Sequence, residues 1–265
     1  MKAIKNIALA LSIIGAAAAP AMAASAAPAS SVKPTVVLVH GAFADATSWN
    51  GVAAKLRADG YKVIGAANPL RSVKGDANVV ADIVRSVKGP VVLVGHSYGG
   101  AVISAAANGQ PNVKSLVYVA AFAPEQGETA LELSGRYPGG TLGGALAEPV
   151  ALADGGKDFY IQQDKFHKQF AADVPKAEAD LMAVAQRPIA EAALTEAAGA
   201  PAWKNVPSYF VYGTADKNIP AAALGFMAER AKSRKTVAIP GASHVVMTSN
   251  PAAVAKLIEE AAQAK

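Results

Sequence analysis

The aliphatic run Val91-Val92-Leu93-Val94 passes directly into Gly95-His96-Ser97-Tyr98-Gly99-Gly100 and then into a small-residue apolar stretch from Ala101 to Ala107. This is Gly-x-Ser-x-Gly in the setting the motif requires, a strand, a sharp turn and a helix. The junction commits the chain to a buried strand followed at once by a helix. The turn forces Ser97 into a strained backbone conformation, and Gly95 and Gly99 leave room where side chains would collide. Ser97 then stands at a helix amino terminus, whose dipole favours negative charge. The plainer reading is a glycine-rich turn with a surface serine, and partners downstream decide against it.

The rest of the chain repeats the strand–helix alternation. Thr35–Val39 is β-branched and aliphatic throughout, as a strand buried on both faces of a parallel sheet should be. Ser48–Ala58 reads as a helix, Tyr61–Gly65 as a short strand and Asp76–Val87 as a helix with apolar residues at helical spacing. Lys114–Ala120, Pro207–Tyr212 and Thr236–Ile239 read as further strands, with helices at about Pro220–Lys232 and Pro251–Ala264. The expected class is α/β, a doubly wound and mostly parallel sheet with helices on both faces.

The rhythm breaks between Pro124 and Asn205. Pro138-Gly139-Gly140 and Gly143-Gly144 open this stretch, which then turns helical at Asp164–Ala172 and Pro175–Gln186. It reads as a helical cap inserted at about 124–205, over the carboxyl edge of the sheet where ligands of open α/β sheets bind. The alternative is an excursion with no part in selectivity.

A hydroxyl nucleophile needs a base. The chain has four histidines, His40, His96, His167 and His244. His244 follows the last strand, in a loop that can reach Ser97. His40 and His96 flank turn glycines and suit loop-holding hydrogen bonds, and His167 suits a surface position in the cap. The base in turn needs a carboxylate. Asp216 is the only aspartate after the cap, and the glutamates there fall in expected helices. The chain order serine, acid, histidine therefore selects Ser97, Asp216 and His244 as catalytic candidates. Backbone N–H groups of Tyr98, after the serine, and Ala42, in the loop after the first strand, are the candidates for an oxyanion hole.

Met1–Ala23 carries Lys2 and Lys5, an apolar run from Ile7 to Ala19 and a small-x-small site at Ala21-Met22-Ala23. That is the order of a secretory signal peptide. The run is short for a membrane span, which needs about 20 residues. Residues 24–33, rich in Ala, Ser and Pro, read as a flexible leader, which leaves 34–265 as one domain. Secreted or periplasmic export is thus expected, with no stable membrane anchor after processing. Without Lys2 and Lys5 the formal charge falls from +5 to +3, with no basic block, so nucleic acid is not an expected partner. The absence of cysteine excludes thiol catalysis and Cys-metal sites.

Val37-Leu38-Val39-His40-Gly41-Ala42-Phe43, Trp49, Val94-Gly95-His96-Ser97-Tyr98-Gly99-Gly100, Gly213-Thr214-Ala215-Asp216 and Ser243-His244 together resemble the α/β-hydrolase superfamily. The branch they resemble is the bacterial relatives of plant methylesterases and hydroxynitrile lyases. The resemblance runs from about Thr35 to the end, more loosely through the cap. It implies hydrolysis of small carboxylic esters through an acyl-enzyme, with no cofactor. Lyases of this group carry a threonine after the first-strand histidine and a lysine after the catalytic histidine. Gly41 and Val245 stand at those places, which favours an esterase. Cofactor-free perhydrolysis and a triad-bearing ligand-binding or signalling role stay open. Phe43, Trp49, Phe122, Phe159, Phe166 and Trp203 are candidates to line an apolar substrate pocket, although core packing accounts for such residues equally simply. The Tyr98 hydroxyl is a further candidate group near the site.

Overall fold

The computed structural model of the chain describes residues 32–264. The expected signal peptide, and all of the leader except its last two residues, lie outside the described residues. The chain runs β1 (Thr35–Val39), α1 (Asn50–Ala58), β2 (Val63–Ala66), α2 (Val73–Ser86), β3 (Val91–His96), α3 (Gly99–Ala106) and β4 (Val113–Val119). The insertion holds α4 (Ala130–Gly135), β5 (Val150–Ala151), β6 (Lys157–Phe159), α5 (Gln163–Phe170), α6 (Lys176–Ala185), β7 (Ile189–Ala190) and α7 (Glu191–Thr195). β8 (Ser208–Gly213), α8 (Ala221–Arg230), β9 (Lys235–Ile239), α9 (Val246–Ser249) and α10 (Pro251–Gln263) complete it.

The expected doubly wound sheet is the one observed. Six strands lie in the order β2-β1-β3-β4-β8-β9, every neighbouring pair parallel. β1 and β3 are buried along their whole length, which explains their continuous aliphatic sequences. α3 is buried on nearly every side, and its Gly and Ala residues let it lie close to the sheet. α2 begins at Ser72, whose Oγ accepts the Gly75 N–H at 3.0 Å, and buries Val73, Ala77, Val80, Ala81 and Val84. α10 starts on Pro251 and turns Val254, Leu257, Ile258 and Ala261 into the core.

From β1 the chain moves outward to β2, then crosses back to β3 and continues the other way. The winding therefore reverses between β1 and β3. At such a switch point the loops leaving the carboxyl ends diverge and open a crevice. Val39 at the end of β1 is in register with Gly95 near the end of β3.

The insertion is not wholly helical. β5, β6 and β7 form a small antiparallel sheet beside the helices. Strands of two or three residues are too short to show a periodicity of two, so the sequence pattern carried no sign of them. α4 had a readable signal, the capping box between Thr129 and Glu132 in Thr-Ala-Leu-Glu. Arg230 of α8 forks onto Glu128 at 2.7 and 2.8 Å and also reaches the Ala123 carbonyl, anchoring the start of the insertion.

Candidate functional site

Ser97 sits between β3 and α3 with φ +52°, in the left-handed region that costs a side-chain-bearing residue about 1–3 kcal/mol. Its surroundings hold it there. The Ser97 N–H donates to the Val119 carbonyl at 3.2 Å, and the Ser97 carbonyl accepts from Gly100 and Phe122 at 3.0 and 3.1 Å. A Cβ on Gly95 would meet the Gly99 carbonyl oxygen at 2.5 Å, and one on Gly99 would meet the Val39 oxygen at 2.7 Å. The turn is thus packed down onto the end of β1, where only glycine fits. Neither the Ala42 nor the Tyr98 N–H has a partner among the described residues, and both residues line the same cavity as Ser97. Unpaired N–H groups at a helix amino terminus suit an anion.

Asp216 follows β8 and His244 follows β9. His244 Nδ1 lies 2.7 Å from Asp216 Oδ2, and both side chains are almost wholly buried, at 1 % and 0 % exposure. The other carboxylate oxygen, Oδ1, accepts the Asn218 and Ile219 N–H groups at 2.8 and 3.0 Å. An acceptor held this way places the imidazole proton on Nδ1 and leaves Nε2 free to act as base. The Phe170 ring packs at 5.1 Å from the His244 ring, and the His96 ring at 4.7 Å. Beside His244, the Ser243 hydroxyl donates to Asp173 of the insertion.

The other histidines hold loops, as their positions beside glycines suggested. His40 Nε2 accepts the Asn68 N–H at 3.1 Å, so Nδ1 carries the proton and donates to the Gly41 carbonyl at 2.9 Å. His96 Nε2 contacts the His244 carbonyl at 3.2 Å. Burial pushes both imidazoles below the usual histidine range, for His96 well below it, with His244 adding to the effect there. The unfolded chain, with ordinary histidines near ~6.5, then takes up protons before the folded one. Stability from these two groups is complete above that pH and is lost on acidification. The melting temperature is expected to fall below about pH 6.5, and His40→Gln, which keeps an acceptor for Asn68, should flatten that fall. A wild-type melting temperature that stays level from neutral pH to pH ~5 would contradict this.

Ser97, His244, Ala42 and Tyr98 border one cavity of about 140 Å³. Phe43 and Phe122 line it, together with Phe170, Leu142, Leu146 and Ile219. The remaining aromatic candidates lie elsewhere. Trp49 is core, 1 % exposed, with its ring edge-on to His96. Phe159 sits in β6 opposite Ile189. Phe166 is fully buried behind Phe170, their rings 4.9 Å apart. Trp203 donates its indole N–H to the Pro124 carbonyl at 3.0 Å and borders a different hollow, near the amino end of β8. Phe166 and Phe170 are four residues apart and share a helix face, so their spacing alone did not tell which ring meets the cavity. The Tyr98 hydroxyl turns away from the site and donates to Asp76 at 2.9 Å, and burial with the nearby carboxylate raises its pKa. His167 is half-buried, its Nε2 3.0 Å from the Val174 carbonyl, and takes no part in the site.

A model of the alpha/beta hydrolase family matches residues 36–257. The carbendazim hydrolyzing esterase of Nocardioides sp. is 35 % identical over 138 residues, covering 44 % of this chain and 57 % of that protein. The putative methylesterase 11, chloroplastic, of Arabidopsis thaliana is 26 % identical over 250 residues, covering 86 % of this chain and 63 % of that protein. Each match thus spans less than two thirds of the relative's own length. Polyneuridine aldehyde esterase, a solved structure, superposes with a TM-score of 0.75 at 18 % identity, over 86 % of this chain and 98 % of that one, a likeness of fold.

Proposed function

Since the chain belongs to the alpha/beta hydrolase family, we propose that it hydrolyses small carboxylic esters, with Ser97 as nucleophile, His244 as base and Asp216 as the acid that orients it. One observation carries the reading, a strained serine and the histidine of a buried His–Asp pair bordering the same cavity. In the proposed reaction Ser97 Oγ attacks the ester carbonyl as His244 Nε2 takes its proton. The Ala42 and Tyr98 N–H groups hold the oxyanion, and loss of one such donor typically costs ~10²–10³ in rate. His244 then protonates the leaving alkoxide, and water repeats the sequence on the acyl-enzyme. The names of the relatives, an esterase and a methylesterase, support the same class of substrate. The purified protein should turn over p-nitrophenyl esters, and no turnover of any short-chain ester would overturn the reading.

Gly41 favours ester hydrolysis over the lyase reaction. A Cβ there would stand 2.6 Å from the Ser97 Cβ and 2.7 Å from the His96 carbonyl oxygen, so this backbone has no place for a threonine.

The cavity is small beside the roughly 300–1,000 Å³ of drug-sized ligand pockets, which supports short acyl groups. Leu142 and Leu146, contributed by the insertion, form part of its wall. Leu146→Ala is expected to raise the ratio of kcat/KM for long over short acyl esters by ~10-fold or more, within the range apolar pockets allow. An unchanged profile would mean that the insertion does not select acyl length.

We also propose that the chain is exported, on the strength of Lys2, Lys5 and Ala21-Met22-Ala23. Amino-terminal sequencing of the protein outside the cytoplasm should find a start near Ala24. A mature chain that keeps Met1 would contradict it.

A further inference from the structure

The two backbone N–H groups assigned to the oxyanion come from separate segments, Ala42 after β1 and Tyr98 after β3. One stretch of chain, the loop from β2 into the first turn of α2, is hydrogen-bonded toward both. At its start Asn68, wholly buried, holds His40 twice. The Asn68 N–H donates to His40 Nε2 at 3.1 Å, and Asn68 Nδ2 donates to the His40 carbonyl at 2.9 Å. His40 Nδ1 in turn donates to the Gly41 carbonyl. That carbonyl belongs to the same planar peptide unit as the Ala42 N–H, so holding the one aims the other.

At its other end the loop reaches Tyr98. Asp76, 1 % exposed in the first turn of α2, accepts the Tyr98 hydroxyl on Oδ2 at 2.9 Å. The same oxygen accepts the Arg71 N–H at 3.1 Å, and Oδ1 accepts the Arg71 and Ser72 N–H groups at 3.2 and 3.5 Å. A buried carboxylate is costly unless hydrogen-bonded, and here the bonds that satisfy it tie the loop to Tyr98. Between the two ends Leu70 is wholly buried at φ +62°, a conformation that a side-chain-bearing residue keeps only where its surroundings impose it. The Leu70 carbonyl accepts the Ala190 N–H at 3.0 Å, and Arg71 Nη1 meets Asp158 at 2.6 Å, so the insertion fastens the loop from outside.

We infer that residues 68–76 form a brace that sets the spacing of the Ala42 and Tyr98 N–H groups, with Asn68 and Asp76 as positioning residues for the oxyanion hole. This rests on the esterase reading and adds to it the element that preorganises its charge stabilisation. Such donors accelerate a reaction because they are in place before charge develops, and a misplacement of about 1 Å costs up to ~10²-fold. Neither Asn68 nor Asp76 borders the cavity. Their effect reaches the reaction only through the two N–H groups, so it falls on the tetrahedral state and little on the bound ester.

The test uses Tyr98→Phe, which removes only the hydroxyl bonded to Asp76, and Asn68→Leu, which removes the amide at nearly constant size. Active sites are titrated to completion with a fluorophosphonate, so that loss of folded protein is not read as loss of rate. Each variant should lower kcat per titrated site on a p-nitrophenyl ester by ~10-fold, part of the ~10²–10³ lost when a donor is removed outright, with KM nearly unchanged. The second readout is inhibition by a trifluoromethyl ketone beside the matching methyl ketone. Ser97 Oγ adds to the carbonyl carbon of the former as His244 Nε2 takes the Oγ proton, and the carbonyl oxygen becomes an oxyanion in the hole. The Ki of the trifluoromethyl ketone should rise by the factor by which kcat/KM falls, while that of the methyl ketone stays level. Because one brace holds both donors, the double variant should lose about as much as the worse single variant, not the product of the two. A merely structural role would lower Tm and leave the rate per site and the ketone discrimination unchanged. That result, a loss confined to KM, or multiplied losses in the double variant would overturn the brace and leave the hydrolytic reading standing. If the protein cleaves no ester but its variants lose ketone discrimination in this way, the hydrolytic reading fails and the brace stands. A wild type that binds the two ketones alike would overturn the brace.

Discussion

Ser97→Ala is expected to lower kcat for ester hydrolysis by ~10⁴-fold or more, with the fold intact, because a triad loses nearly all of its effect when its nucleophile is removed. The fold should tolerate the change. Ser97 makes its backbone hydrogen bonds through N–H and C=O, both of which alanine keeps, and alanine bears the left-handed φ at a cost similar to that of serine. What remains is the residual rate supplied by the oxyanion donors and binding. The measurement is kcat on a short-chain ester alongside a melting curve. A mutant with the melting temperature of the wild type and turnover within tenfold of it would remove Ser97 from the reaction.

Asp216→Asn is the second large effect, and its reason lies in the hydrogen bonds of the carboxylate. Oδ1 is held by the Asn218 and Ile219 N–H groups. An asparagine would have to keep its oxygen toward those donors, which points its NH₂ at His244 Nδ1. Two donors cannot face each other, so the imidazole proton moves to Nε2, the nitrogen that must accept from Ser97. The expected loss is ~10⁴ in kcat with much less change in KM, the size found when the same substitution is made in a serine protease. If kcat stayed within tenfold, another carboxylate would have to serve His244. Asp173, held by the neighbouring Ser243 hydroxyl, is the one at hand.

Those hydrogen bonds mark the boundary of what could be read from the chain alone. The parallel strands were legible because burial on both faces demands unbroken aliphatic runs, as in Val36–Val39 and Val91–Val94. Ser97, Asp216 and His244 were legible as candidates because chain order and strand ends place them at one edge of the sheet, and the geometry brings the last two into contact. The cavity wall was not. Phe122 and Phe43 stand beside the strand ends and were accessible to the same reasoning. Phe170, Leu142 and Leu146 belong to an insertion whose path depends on packing between short elements, with no periodic pattern to fix it. Phe166 and Phe170 are two rings on one helix face, and Phe170 is the one that meets the cavity. Asn218 carried no signal either, since a polar residue in a turn after an aspartate ordinarily meets solvent. Its burial follows from Gln169, which lies 49 positions away in the sequence and closes over it from the insertion.

The insertion and the loops bearing Ala42, Asp216 and His244 are also joined by direct hydrogen bonds. The Phe43 N–H donates to the Arg187 carbonyl, Thr141 N–H and Gln169 reach Lys217, and Asp173 takes the Ser243 hydroxyl. The loops bearing Ala42, Asp216 and His244 are thus each fastened to it. A substitution in the insertion can therefore act on rate as well as on substrate choice, because a small displacement of reacting groups carries a large kinetic cost.

The central claim is that Ser97 is the group that becomes acylated. A fluorophosphonate traps such a serine covalently, and mass spectrometry of the digested protein locates the bond. The account predicts one label per chain, on the peptide that contains Ser97, forming as ester turnover is lost, with no label on Ser97→Ala. Turnover that persists in fully labelled protein, or a label on any other residue with Ser97 unmodified, would contradict it.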